Sequence, residues 1–419
     1  MTTPNITPLT RYRLLFTLFS AQSLFSAAFI AMFTLGPLIA IDLSGRVSAA
    51  GWPQACVLLG RAASAYPFGL VMDRWGRRWG LTFAYTIGTA GAAAAALAVI
   101  NQSFLGFLLG SLAIGLARGA TDQSRFAAAE IHTAERQARA IGFITFAGTI
   151  GAILGPRIVP PSEAFALSRQ IPGEAGPIII AAIFLAVAAL LLALGLHPDP
   201  LHIGRALAAQ YPAKTTNTNP ETLKLTDLSP ANKRTALIGS GTMIIAQLVM
   251  TVIMVITSVY MRNNGHDTTA ISYVIMAHTL GMFGLSSLTS RLINWQGSYR
   301  IILTGIAILI SACLLTPLST TFLSIAVALF LLGLGWNFCY VAGSELFFSA
   351  LPVNSRGRGQ GLNEIFVSLA SLGGTLSTGV IFSLGGIQAV AFTSFLVTIT
   401  LLIFTIFYRP KGILHATAH

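Results

Sequence analysis

Charged residues are scarce in this chain, where Asp, Glu, Lys and Arg make up 9% of 419 residues against roughly a quarter in a soluble domain. Cysteine is rarer still, because Cys56, Cys313 and Cys339 are the three present and each lies in a different apolar stretch. Their separation excludes a disulfide framework and a C-x-x-C site. Hydrophobic residues occupy 54% of positions. The composition therefore excludes a soluble protein and predicts an integral membrane protein.

The sequence also lacks the patterns of an enzyme or a receptor. No glycine-rich nucleotide loop appears, and the single histidine inside an apolar stretch, His278, leaves no serine, histidine and acid constellation to propose. No loop is long enough to fold into an extramembrane binding domain, which argues against a receptor or an assembly factor. We therefore expect a protein that is not an enzyme, uses no cofactor as a catalyst, and works by binding and release.

Apolar runs long enough to cross about 30 Å of hydrocarbon recur along the chain. They occur near residues 14–41, 50–72, 80–100, 103–124, 138–158, 177–196, 235–260, 271–291, 299–317, 321–344, 359–384 and 388–408. These runs predict an all-α membrane protein with twelve transmembrane helices. The first ten residues have none of the features of a secretory leader, so the first run is expected to remain as a span.

Basic residues are distributed unevenly between the loops. With a cytoplasmic N-terminus, nineteen of the twenty-five Lys and Arg residues fall on the inner side and four on the outer side. This bias follows the positive-inside rule, so we expect both termini in the cytoplasm. Topology and attraction to an anionic lipid leaflet account for the net charge of +12, with no nucleic-acid partner. We expect a monomer in the bilayer of the bacterial inner membrane.

A polar stretch separates the sixth and seventh runs. Residues 201–232 are rich in Pro, Thr, Asn and Lys, a composition that predicts a cytoplasmic linker and no buried segment. The linker divides the chain into an N-terminal six-helix bundle, 1–200, and a C-terminal six-helix bundle, 233–419.

The two halves repeat one another in spacing. The intervals between Arg139, Gly142 and Gly155 recur between Arg358, Gly361 and Gly374. A parallel repeat of six and six helices resembles the architecture of the major facilitator transporters, whose substrates bind near the membrane midplane. The fold implied by this resemblance is two pseudo-symmetric six-helix bundles.

The loop between the second and third runs has the sequence GLVMDRWGRR, which resembles the signature loop of the major facilitator superfamily at every defined position. Its glycines allow close turns, its aspartate can accept hydrogen bonds from a helix N-terminus, and its arginines anchor the inner surface. The resemblance implies a role in gating. The residues concerned are Gly69, Asp73, Arg74, Gly76, Arg77 and Arg78. The corresponding loop after the eighth run has Asn294 at the acidic position, so we expect an inner latch mainly from the N-terminal half.

Methionine is concentrated in one part of the chain, since six of the nine fall within 40 consecutive residues. At 100° per residue, four of them project from one side of the seventh helix, and His278 lies on one face of the eighth helix at a matching depth. Thioether sulfur and imidazole suit monovalent copper better than zinc, calcium or magnesium. The predicted copper ligands are Met250, Met254, His278 and Met282, and the predicted relay residues are Met243 and Met261.

The pair Met250-x-x-x-Met254 followed by His278-x-x-x-Met282 resembles the metal-binding motifs of the CcoA-type copper importers, a bacterial branch of the superfamily. The resemblance implies copper as the transported substrate, imported across the inner membrane for assembly of a haem-copper cytochrome oxidase. Members of that branch often carry additional functional thiols, and this chain has only three separated cysteines. Methionine also fills irregular apolar gaps, so ordinary packing stays open as an interpretation of the stripe.

A second motif favours an alternative function. Gly142, Gly151, Gly155 and Pro156 resemble the glycine-proline motif of proton-coupled exporters, although small residues here also allow close helix packing. The alternative is therefore a proton-coupled transporter of an organic small molecule, for drug efflux or vitamin uptake. Ionisable residues inside spans are costly and often functional. The candidates for energy coupling are Arg118, Asp122, Glu345 and Glu364. The first two are one turn apart, and simple charge neutralisation explains them as well as proton transfer does.

Overall fold

The structure is a computed structural model that describes residues 7–132, 134–210, 230–318, 320–351 and 356–409. Within these ranges the regular structure is entirely helical, which confirms the predicted all-α class. The α-helices are α1 (Pro8–Ser44), α2 (Trp52–Trp75), α3 (Arg77–Ile100), α4 (Phe104–Thr121), α5 (Ser124–Glu130), α6 (Ala134–Ser168), α7 (Ala175–Gly195), α8 (Pro200–Gln210), α9 (Pro230–Asn263), α10 (Thr268–Phe283), α11 (Ser286–Gln296), α12 (Ser298–Leu315), α13 (Phe322–Ala350) and α14 (Arg356–Phe407).

In the described part of the chain, eleven helical stretches are long and apolar enough to cross a membrane. The last stretch lies in α14, whose backbone leaves helical geometry at Gly385 and Gly386, where the second glycine has a φ of 62°. A positive φ suits glycine because it has no Cβ. The break falls between the eleventh and twelfth predicted runs, and each side is long enough to span. The structure therefore accommodates all twelve predicted spans.

The chain divides into two compact units. The first unit contains residues 1–45 and 52–217, and the second contains residues 46–51 and 218–419. The short segment 46–51 follows α1 in sequence, yet it packs with the second unit, where its 3-10 helical turn contacts α14.

The predicted linker begins with regular structure. Its first part folds as α8, which packs against α3 and α5 and buries Leu201 and Ile203. Both covering helices belong to the first unit, so this part of the predicted linker packs with that unit. The expectation of no buried segment in residues 201–232 is therefore wrong at Leu201 and Ile203. Residues 211–229 lie outside the described residues.

The same pairs of helices pack in both units. In the first unit α4 packs against α2 and α3, and α1 packs against α6. In the second unit α13 packs against α10 and α12, and α9 packs against α14. These pairs occupy the same order among the spans, so this part of the packing repeats between the units. The units differ in one pair, because α9 also packs along α13, whereas the equivalent helices α1 and α4 make little contact.

Close helix contacts establish the register of this repeat. Gly115 of α4 lies against the backbone of Val57 in α2, and Gly333 of α13 lies against the backbone of His278 in α10. Neither glycine has room for a Cβ atom. The matched contacts align α4 with α13 at an offset of 218 residues and α2 with α10 at an offset of 221.

A second close contact, one turn along the same helices, gives both offsets again. In the first unit Gly119 lies against the carbonyl oxygen of Arg61. In the second unit the side chain of Asn337 donates to the carbonyl oxygen of Met282 at 2.6 Å. Two independent contacts therefore give one alignment of the two units.

Candidate substrate-binding site

The signature loop is a single-residue turn. Gly76 joins α2 to α3 with a φ of 90°, a conformation that other residues rarely adopt. Arg77 then forms ion pairs with Asp73 at 3.2 Å and with Glu130 of α5 at 2.6 Å. Arg78 donates to the carbonyl oxygen of Ala193 at 2.8 Å. The loop is therefore held to two other elements of the first unit.

The N-terminus of α3 is capped by a residue that the sequence analysis missed. Asp199 accepts hydrogen bonds from the backbone N–H groups of Arg77 at 3.1 Å and Arg78 at 2.9 Å. Asp73 was the residue expected to bind a helix N-terminus, but its side chain is 63% exposed and pairs with Arg77. The available signal was the dipeptide Asp199-Pro200, which is typical of a helix start. Asp199 thus ties the start of α3 to the start of α8.

The other loop residues lie at the edge of this arrangement. Gly69 is close to the side chain of Gln123, and Arg74 is exposed near the end of α2. The gating role of the loop stays a prediction.

A charged cluster lies within the spans of the first unit. Arg61 of α2 donates through Nε to Asp122 at 2.7 Å. The guanidinium of Arg118 lies 3.9 Å from the ring centroid of Phe29 in α1. We call Arg61, Arg118 and Asp122 the charged cluster. It contains two of the four residues predicted to act in energy coupling.

An aromatic cluster lies within the spans of the second unit. The rings of Trp336 and Tyr340 stack with centroids 4.7 Å apart, and Phe283 meets Trp336 edge-on at 6.0 Å. The indole N–H of Trp336 donates to Gln247 at 2.9 Å, and the Tyr340 hydroxyl donates to Glu364 at 2.9 Å. We call these five residues the aromatic cluster.

The polar members of the aromatic cluster connect three helices. Gln247 of α9 accepts from the indole of α13 and donates to Ser371 of α14 at 2.8 Å. Its backbone carbonyl accepts from Thr251 at 2.8 Å. Buried polar groups that are bonded in this way hold a side-chain constellation in one geometry. Sequence reasoning missed this cluster, although Gln247 in mid-span and the aromatic pair at i and i+4 were available signals.

The offsets of the repeat relate the two clusters. They pair Arg61 with Met282, Arg118 with Trp336, and Asp122 with Tyr340. Each member of the charged cluster therefore has a neutral counterpart in or beside the aromatic cluster.

The predicted copper ligands lie on two helices that have little contact with each other. α9 packs along α13 and α14, whereas α10 packs along α13. Met254 and Met282 are buried, and Met250 is partly buried. His278 is 1% exposed, and its Nδ1 lies 2.9 Å from the carbonyl oxygen of Leu329 in α13. The four predicted ligands therefore lie on two helices that each pack against α13 and have little direct contact with each other.

The two predicted relay residues are also buried. The sulfur of Met243 accepts a hydrogen bond from Asn363 of α14 at 3.3 Å. Met261 is fully buried near the end of α9. The remaining coupling candidate, Glu345, accepts from the hydroxyl of Ser298 at the start of α12. In the residues that the structure describes, no group of three or more His, Cys, Asp or Glu side chains could hold a metal ion.

Comparison with known proteins decides the family. The family model of the Major Facilitator Superfamily matches residues 17–238 and 239–416. This chain belongs to the major facilitator superfamily. The predicted fold and the general role in membrane transport are confirmed, and the chain is a multi-pass membrane protein of a transporter family.

Relatives of this superfamily member include one protein with an assigned substrate. The uncharacterized MFS-type transporter YdeG of Bacillus subtilis (strain 168) is 33% identical over 373 residues, covering 88% of this chain and 85% of that protein. The riboflavin transporter RfnT of Brucella anthropi is 26% identical over 402 residues, covering 94% of this chain and 95% of that protein. Neither is described as a copper transporter, so the narrower prediction of a CcoA-type importer finds no support here.

Solved structures agree on the fold. A bacterial homologue of the human lysosomal transporter Spinster, in an inward-facing and occupied conformation, matches with a TM-score of 0.70 at 14% identity. The match covers 96% of this chain and 97% of that chain. At this identity the likeness shows the superfamily fold alone.

Proposed function

We propose that this superfamily member carries a planar organic molecule across the bacterial inner membrane by alternating access, with both termini in the cytoplasm. The observation that carries the proposal is the aromatic cluster of the second unit. Small-molecule sites combine apolar and aromatic faces with a few placed polar groups. The stacked pair of Trp336 and Tyr340 supplies the faces, and Gln247 and Glu364 supply an amide and a carboxylate.

The aromatic cluster has ring surface available for a ligand. Phe283 is 41% exposed and Tyr340 is partly exposed, whereas Trp336 is nearly buried between them. A planar ligand that stacks on Tyr340 or against Phe283 would extend an existing aromatic arrangement. Riboflavin is the first compound to test, because its fused ring system is planar and RfnT is a riboflavin transporter. Of the four coupling candidates, Glu364 is the one that touches this cluster.

Copper import is the second candidate, and one observation favours it. The carbonyl of Leu329 can only accept, so the proton of His278 lies on Nδ1 and the lone pair lies on Nε2. That Nε2 is buried and has no hydrogen-bond partner among the described residues. Metal-binding histidines are commonly oriented in this way, through a backbone carbonyl on the other nitrogen.

The methionine stripe nevertheless fits packing better than ligation. Gly155 lies against the carbonyl of Ala27 in α1, and Gly374 lies against Leu248 in α9, which aligns these two helices at an offset of 221 residues. This offset pairs Met250 with a position held by phenylalanine in α1. The methionines thus replace an aromatic ladder, as gap-filling apolar side chains do.

The phenylalanine ladder of α1 shows that apolar side chains without metal-binding atoms can occupy these positions. The rings of Phe25, Phe29 and Phe33 follow one another with centroids 6.5 Å and 5.9 Å apart. Met250 and Met254 correspond to the last two rings. We therefore rank the organic solute first.

Uptake of radiolabelled riboflavin by a riboflavin-requiring bacterium without its own importer tests the proposal. Trp336→Ala should lower uptake by at least about tenfold, because removal of a central aromatic anchor commonly costs more than about 1.4 kcal/mol of binding. Trp336→Phe should retain part of the uptake, since the stack with Tyr340 survives. Trp295→Ala is the matched control, because Trp295 is 72% exposed on α11.

Competition with unlabelled planar heteroaromatic compounds extends the test beyond riboflavin. Wild-type levels of uptake and competition in Trp336→Ala would contradict the assigned site. Failure of every planar compound to be taken up or to compete would contradict the proposed class of cargo.

A further inference from the structure

The charge of the charged cluster is unbalanced. The charged cluster has two guanidinium groups and one carboxylate, and Asp122 is bonded to Arg61. Within the described residues, the guanidinium of Arg118 makes no hydrogen bond or ion pair, and its contact is with the face of Phe29. A cation held in the membrane without a full partner is costly, and such residues usually line a substrate path. The second arginine must therefore offset this cost, either through helix packing or through binding of a ligand.

Helix packing does not supply that reason. At the equivalent positions of the second unit, Trp336 and Tyr340 replace Arg118 and Asp122, and the helices there pack with the same close contacts. The fold therefore accepts uncharged side chains at these positions. What the arginine adds is charge and directed hydrogen bonding, which a ligand can use.

The hydrogen-bonding capacity of Arg118 is unused within the described residues. Its guanidinium carbon lies 3.9 Å from the centre of the Phe29 ring, the side chain is partly exposed, and its N–H donors have no partner among the described residues. Phe25 and Phe33 flank Phe29 on α1 and hold its ring in place. A guanidinium fixed by stacking loses little freedom when it binds, and its fork matches a carboxylate or phosphate with two parallel hydrogen bonds.

The charged cluster is also accessible. The side chains of Arg61 and Asp122 are 40% and 32% exposed within the structure. Arg61 lies about 14 Å from the start of α2 at 1.5 Å per residue, which is near the middle of about 30 Å of hydrocarbon. Ionisable residues at this depth face the bundle interior or a water-filled cavity and avoid lipid. Arg118 is partly exposed as well, so the residues of the first unit do not close the cluster off.

We infer that the first unit binds an organic anion, whose carboxylate or phosphate is held by the guanidinium of Arg118. The inference rests on the proposed function, because it adds to the planar organic cargo a preference for molecules that carry a negative group. Asp122 keeps Arg61 engaged, so that one arginine remains for the ligand.

Binding of matched neutral and anionic probes to the purified full-length protein tests the inference. The pairs are naphthalene-2-carboxamide with naphthalene-2-carboxylate, and riboflavin with riboflavin 5′-phosphate. Affinity is measured by ligand-dependent thermal stabilisation in detergent. Wild type should prefer the anion of at least one pair by about tenfold, the size expected for one bidentate charged contact. Arg118→Gln should lose that preference.

Two further variants make the test specific. Arg118→Lys keeps the charge but loses the fork, so the preference should fall to an intermediate value; it also serves if Arg118→Gln does not fold. Arg169→Gln is the matched control, because Arg169 also lies over a phenylalanine ring, at 5.3 Å from Phe165, but outside the cluster. It should keep the full preference.

Each outcome bears on a different proposal. Equal affinity for both members of every pair, or an undiminished preference in Arg118→Gln, would overturn the anion site and leave the organic cargo intact. Binding of no member of either pair at millimolar concentration would overturn the anion site as well, and would count against the planar organic cargo. Comparison of the carboxylate pair with the phosphate pair shows which negative group Arg118 binds.

Discussion

At the level of Gly115 in the first unit and Gly333 in the second, α4 and α13 each cross a neighbouring helix with the same close backbone contact. Within two turns of that contact the chemistry differs. The first unit has Arg118 over a phenylalanine ring, and the second has Trp336 stacked on Tyr340. The comparison teaches that helix packing determines where these side chains lie but leaves their chemical type free.

The aromatic and charged clusters also differ in how their polar groups are paired. In the second unit, Gln247 and the Tyr340 hydroxyl bond with neighbours on other helices. In the first unit, Asp122 is engaged by one arginine and a second arginine remains without an ion pair among the described residues. Under the two proposals above, the second unit would recognise a planar ring and the first a negative group.

The largest loss of stability is expected at the helix crossing that the two units share. Gly115→Ala and Gly333→Ala should each lower the free energy of unfolding by about 1–3 kcal/mol, because the added Cβ meets the backbone of a neighbouring helix. Gly373→Ala is the control, since its Cβ would meet nothing within 4 Å. Circular dichroism of unfolding in detergent measures the change. A loss at one of the two glycines without the other would break the equivalence of the two helix crossings.

A smaller loss of stability is expected at the equivalent positions whose side chains differ between the units. Asp122→Asn should cost about 1–2 kcal/mol, because a charge-assisted bond to Arg61 is lost from a partly exposed pair. The equivalent change, Tyr340→Phe, removes a hydroxyl that bonds to Glu364 and should cost about 0.5–1.5 kcal/mol. The same unfolding measurement applies to both. If Asp122→Asn left the free energy of unfolding unchanged, the first unit would not depend on its ion pair as the structure indicates.

The smallest effect on stability is expected in the methionine stripe. Met250→Leu and Met254→Leu should each cost less than about 1.5 kcal/mol, because the side chains have similar volumes. With an organic cargo, accumulation of radiolabelled copper should be the same in cells that express wild type, either variant or the control Met276→Leu. If copper accumulation depended on the protein and both stripe variants lost it while the control kept it, copper import would replace the organic cargo.

Much of the fold was predictable from the sequence. Hydrophobic runs at least as long as the hydrocarbon thickness predict spans directly. The helix break at Gly385 and Gly386 lies between the predicted runs 359–384 and 388–408. The signature loop and the repeated interval ending at Gly155 and Gly374 indicated the superfamily. The site was predicted less well, because the aromatic cluster joins Gln247 to Trp336 across 89 positions of sequence.

By itself, the sequence determined the membrane location, the number of spans and the family, because each follows from composition or from residues that are close along the chain. It also placed residues on helix faces through the helical period. The period does not say which helix a face meets or at what axial offset. Only the tertiary structure decided that Asp199 caps α3, that Asp122 pairs with Arg61, and that Trp336 meets Gln247, since those choices depend on close packing between distant segments.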